Sequence, residues 1–93
     1  MPKRRRGEGG DDLKYLAVFK GRSATIRAGR ALEQNAIPFR FVNTPRETGY
    51  GCGICIEVAP SYYYGAARVL PMQGFVGWWL LNEVAGGVAC TRV

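Results

Sequence analysis

"PFRFVNTPRETGYGCGICIEV", residues 38–58, is the stretch on which the fold turns. Its opening part places Phe39 and Phe41 on one face and Arg40 and Val42 on the other, the period of a strand. Pro45 closes that strand. From Ile54 the alternation resumes in "ICIEVA", with Ile54, Ile56 and Val58 on one side and Cys55 and Glu57 on the other. Paired as a hairpin, the two strands bury Phe39, Phe41, Ile54, Ile56 and Val58 together and leave Arg40, Cys55 and Glu57 on the opposite face.

Working outward, "LKYLAVFK" before this hairpin is nearly all apolar and predicts a central strand, ended by Gly21 and Arg22. Between the two, Ala24, Ala28, Ala31 and Leu32 recur at helical spacing. Arg27, Arg30 and Glu33 lie elsewhere around that helix, Ser23 serves as its N-cap and Asn35 supplies its left-handed end. After the hairpin, "PSYYYGAARVLPMQG" predicts a second helix with Tyr63, Ala66, Ala67 and Leu70 inward, stopped by Pro71 and Gly74. "FVGWWLL" predicts a fourth strand, and residues 82–93 read either as a short extra strand or as a tail. The order βαββαβ predicts an α/β (α+β) domain of ferredoxin-like layout, an antiparallel sheet with two helices on one face. The other face is expected to stay open, to show one of Trp78 and Trp79, and to pair with a second copy in a homodimer or larger oligomer.

The expected organisation is a disordered basic arm over residues 1–12, the domain over 13–81 and a C-terminal extension over 82–93. With 93 residues, the chain holds one core and any site on it should be shallow or shared. The net charge is +6, and most of the excess lies outside the arm, which makes a polyanion a legitimate partner class. Histidine is absent, which excludes Ser-His and Cys-His catalysis. Three cysteines without an apolar leader point to a reducing cytoplasm, and no run approaches the roughly 20 apolar residues of a membrane span.

Cys52-Gly53-Ile54-Cys55 stands where the glycine-rich loop becomes a strand, and its chemistry has several readings. A redox disulfide needs the Cα atoms within about 7 Å, so Gly53 would have to bend a chain that spans about 10 Å when extended. A metal or cluster would find two ligands here and at most a third in Cys90, short of the usual four. A single reactive thiol at Cys52 has a favourable setting: Gly49, Gly51 and Gly53 can turn backbone N–H groups toward an anion, and Arg46, with Arg40 near it, adds positive charge. The plain alternative is that both cysteines are small apolar residues at a turn.

The succession "YLAVFK", "ALEQNAIPFRFVNTPRE" and "CGICIEV", with a closing helix and "GF", resembles the sulfur/selenium (Se/S) carrier-like family over residues 14–81. Its most specific part is Thr44-Pro45-Arg46 followed by Cys52-Gly53. The resemblance implies a non-enzymatic carrier without cofactor or metal, in which the loop cysteine, here Cys52, holds sulfur or selenium as a persulfide or perselenide. Donor and acceptor proteins are its implied partners. In that reading Arg46 and the amides of Gly51 and Gly53 stabilise the anion, while Thr44 and Pro45 fix the chain's path into the loop. The chain departs from the family's pattern in Asn35-Ala36, where glycine is usual, and in Tyr62, Tyr63 and Tyr64, where the helix is usually acidic. Cys55, the arm and the segment after Leu81 have no counterpart in it. The competing readings are a nucleic-acid-binding module, which the strand chemistry disfavours because Cys55 and Glu57 stand where stacking aromatics would be, and a purely structural or regulatory subunit with incidental cysteines.

Overall fold

The computed structural model describes residues 13–49, 53–84 and 87–93. The arm expected over residues 1–12 lies outside them, as do Gly51 and Cys52. The elements are β1 (Leu13–Phe19), α1 (Arg22–Gln34), β2 (Arg40–Asn43), β3 (Ile54–Val58), α2 (Tyr63–Val69), β4 (Phe75–Val84) and β5 (Gly87–Arg92). The strands form one sheet in the order β2-β3-β1-β4-β5, with every neighbouring pair antiparallel. Both helices pack on the same face, so the α+β class and the single helix layer agree with the sequence. A fifth strand is added at the β4 edge: of the two readings of residues 82–93, the extra strand is the one that forms.

Between helices and sheet lies a core of Phe19, Leu32, Ile56, Val58, Ala66 and Trp78 with their smaller neighbours. Tyr15, Tyr63 and Trp78 form an aromatic group within it, the tyrosine rings stacked at 4.2 Å and Trp78 edge-on to Tyr63 at 4.9 Å. Along β4 the pairing jumps from Phe19↔Phe75 to Val18↔Gly77, so Val76 is a bulged residue. The bulge brings Phe75 to the same face as Trp78, three residues on, and turns Val76 to the other.

α1 buries Thr25, Ala28, Gly29 and Leu32, a stripe rotated from the Ala24/Ala28/Ala31/Leu32 set. Two local effects cause the rotation. Thr25 donates its hydroxyl to the Gly21 carbonyl at 3.0 Å, so its polar atom is satisfied under the helix. Gly29 lets an aromatic ring approach the helix backbone: a Cβ there would lie 2.6 Å from Cζ of Phe41. Ser23 is not the cap, because the helix begins at Arg22 after Gly21 and has no side-chain cap bond. At the other end Asn35 sits at φ −104 and donates Nδ2 to the Ala31 carbonyl at 2.8 Å. The left-handed residue is Ala36, at φ 58. Its N–H bonds Glu33 and that of Ile37 bonds Leu32, the two bonds of a Schellman ending with alanine where glycine is usual. Ala36→Gly is therefore expected to stabilise the fold by about 0.5–1 kcal/mol, the relief of left-handed strain exceeding the added freedom of the unfolded chain; urea unfolding checks it.

The second helix is shorter than the sequence suggests. Pro60–Tyr62 form a 3₁₀ turn, α2 follows, and Leu70 is extended ahead of Pro71, as a residue before proline tends to be. Tyr63, Ala66 and Leu70 face the core as expected, whereas Ala67 is exposed.

The face expected to be open is closed. Leu16, Val18 and Cys55 are fully buried on it, and Trp79 keeps only 4% of its surface. Its cover includes the guanidinium of Arg92 on β5, 4.9 Å from the Trp79 ring and bonded to the Val76 carbonyl at 2.8 Å. The exposed tryptophan on which the oligomer interface was to rest is thus covered within one chain, and Trp78 lies in the core on the helix side.

Candidate functional site in the β2–β3 loop

The site grows out of the hairpin. Asn43↔Ile54 is the last pair of the β2–β3 ladder, and one further bond, from Thr44 N–H to the Gly53 carbonyl at 2.9 Å, closes the neck of the loop. Pro45 is extended and leads into a 3₁₀ turn over Arg46–Thr48. Thr48 donates both its N–H and its hydroxyl to the Pro45 carbonyl, at 3.2 and 3.0 Å, and is buried. Gly49 ends the turn in the left-handed region at φ 79, and Gly53 has φ 97; among the described residues of the loop, these are the positions whose path needs glycine.

Thr44, Pro45, Arg46 and Gly53 therefore belong to one neck, with Arg46 exposed at its outer end. The Thr44 hydroxyl is buried and has no hydrogen-bond partner among the described residues. A buried polar group in that state is costly, so it marks a place where a bonding partner would be gained. Arg40, expected near the loop, is at the far end of β2: it pairs with Glu57 in the ladder and its guanidinium stands 3.7 Å from that carboxylate. Strand rise accounts for the separation, about 10 Å between Arg40 and Asn43. Cys55 is fully buried against Leu16, Val18 and Trp79, so its thiol faces the sheet's second core rather than solvent.

In sequence Cys90 stands out only as a possible third metal ligand, but the structure brings its strand against the turn that follows the neck. The Arg46–Thr48 turn packs against β5, and Cys90 on that strand is a free, partly buried thiol at the edge of the second core. Burial, and then the Glu47 carboxylate, push its pKa above the usual thiol value. The signal lay in "AGGVAC": a glycine pair after an apolar strand announces a hairpin, and strand alternation from Trp79 and Leu81 then places Cys90 and Arg92 on the second face. Since a nearby carboxylate disfavours the thiolate, Glu47→Gln should lower the Cys90 pKa and move its alkylation-rate profile to lower pH. Iodoacetamide labelling followed by mass, in a Cys52→Ser background, measures this.

The arrangement defines a small α+β domain in which Thr44, Pro45, Arg46 and Gly53 of the candidate site meet at the closed neck of a glycine-rich hairpin loop. The family model described as "Putative Se/S carrier protein-like" matches residues 14–74, and the chain belongs to that family. The match takes in β1 through α2, including Thr44-Pro45-Arg46 and Cys52-Gly53, and stops before β4. No curated protein and no solved structure matches the chain. No helix among the described residues is long and apolar enough to cross a membrane.

Proposed function

We propose that the chain is a non-enzymatic carrier of sulfur or selenium, holding the atom on Cys52 in the β2–β3 loop of a ferredoxin-like plan extended by β5. The observation that carries the reading is the unpartnered Thr44 hydroxyl at the loop's neck, within the segment that the family model covers. Cys52 adjoins Gly53 in sequence, the residue that Thr44 bonds, and in this reading the Thr44 hydroxyl is the donor for an anion on that thiol. Arg46 adds positive charge from the same neck, and Gly51 and Gly53 carry no side chains to screen their backbone N–H groups from an anion.

Loading is an exchange at sulfur. The Cys52 thiolate attacks the terminal sulfur of a donor persulfide, the donor's S–S bond breaks, and the donor leaves as its thiolate. An acceptor thiolate then repeats the attack on the sulfur held by Cys52. The atom moves without an external oxidant or reductant, and no histidine or cofactor is required. A perselenide follows the same balance. Donor and acceptor proteins in a reducing compartment such as the cytoplasm are the partners this chemistry needs.

Intact mass spectrometry of anaerobically purified protein, offered a cysteine desulfurase with cysteine, tests the reading. One added sulfur that a thiol reductant removes is expected for the wild type and for Cys90→Ser, and none for Cys52→Ser. Loading that survives Cys52→Ser but is lost in Cys55→Ser would assign it to the other thiol.

A further inference from the structure

The basic excess of the folded part gathers on the first turns of α1, which starts at the end of the sheet where β1 finishes and the β2–β3 loop enters β3. At helical spacing Ser23, Arg27 and Arg30 lie opposite the buried Ala28 and Leu32, flanked by Arg22 and Ile26. Ser23, Ile26, Arg27 and Arg30 line a shallow groove of about 260 Å³. One wall is fixed, because Arg27 Nη1 donates to Oε1 of Gln73 at 3.1 Å. The neighbouring residues extend the patch: Lys20, whose N–H bonds the Gly74 carbonyl, and Met72, 72% exposed. Lys20, Arg22 and Arg30 form no salt bridge among the described residues, and Glu33 is the one carboxylate on the helix. Like charges a turn apart repel, and nothing else in the helix layer offsets them.

We infer that this face of α1 docks an acidic, partly apolar helix of a partner protein. Three features select that occupant over a nucleic acid. Ile26 and Met72 set exposed apolar surface among the cations, and arginine with methionine is a protein-interface composition. The cations on α1 are all guanidinium groups, whose forked donors match carboxylates in pairs. No aromatic ring stands among them for a base to stack on, and Glu33 shares the face. From Arg22 to Arg30 the helix rises about 12 Å, enough to meet two turns of an acidic helix. None of Ser23, Ile26, Arg27 and Arg30 belongs to the loop or its neck, so the proposal does not depend on whether Cys52 carries sulfur.

The test uses the full chain, isotope-labelled for amide NMR, and two probes: an 18-residue synthetic peptide with glutamates and leucines at helical spacing, and a twelve-nucleotide oligouridylate. The peptide should shift amides in residues 20–30 and 72–74, and binding should weaken as salt rises. The double variant Arg27→Glu/Arg30→Glu should weaken it at least tenfold while leaving the thermal midpoint near that of the wild type. Peptide shifts confined to residues 1–12, affinity unchanged in the double variant, or no peptide binding at low salt would each overturn the proposal. So would oligouridylate binding at the same residues as tightly as the peptide.

Discussion

Phe19→Ala should destabilise the domain by about 3–5 kcal/mol, the range for removing a buried aromatic ring. Phe19 is fully buried at the end of β1. Its ring meets Phe75 edge-on at 5.3 Å, and its pairing with Phe75 is the last register before the bulge at Val76. Removing the ring leaves a cavity at the point where strand register and helix packing are set together. Small domains have total stabilities of about 5–15 kcal/mol, so the variant should show a much lower urea midpoint or be unfolded at room temperature. Equilibrium urea unfolding of wild type and variant side by side reads the difference.

Gly74→Ala is the second large effect, expected at about 2–4 kcal/mol from left-handed strain and crowding together. Gly74 has φ 76, and a Cβ on it would stand 2.9 Å from Cβ of Ala24 and 3.4 Å from the Lys20 carbonyl. Its own carbonyl accepts the Lys20 N–H at 2.7 Å, which holds the start of β4 to the β1–α1 corner. No side chain can swing aside there. Gly49→Ala separates the two causes: Gly49 is left-handed at φ 79 with open space around its Cβ position, so it should lose only the strain, about 1–2 kcal/mol. Equal losses in the two variants would show that the Ala24 contact contributes nothing.

These positions also show what a sequence does and does not disclose. The hairpin faces were legible because strand alternation is local: Phe39 and Ile56 go to the helix side, and Val42 and Cys55 to the other. The rotation of α1 was not, because it depends on the space over Gly29, occupied by a ring from a strand twelve residues on. Asn35 was the reasonable left-handed residue, yet its side chain serves the helix end better by bonding Ala31, and the strained dihedral passes to Ala36. At the site, the motif Thr44-Pro45-Arg46 was visible, whereas the approach of Glu47 to Cys90 is a meeting of distant segments that no local pattern encodes. The closure of the second face belongs to the same kind, since Arg92 reaches Trp79 only after β5 has paired.

That late pairing has a consequence for the order in which the molecule comes into being. Every element of the helix-side core precedes residue 85, so the main core draws on no residue of β5. The platform under the Arg46–Thr48 turn arrives about forty residues after the turn itself, a closure of the kind that slows assembly. In refolding the loop's surroundings are therefore completed last, and a species whose core has formed before β5 pairs would have a Thr44-Pro45-Arg46 neck with no strand to rest against.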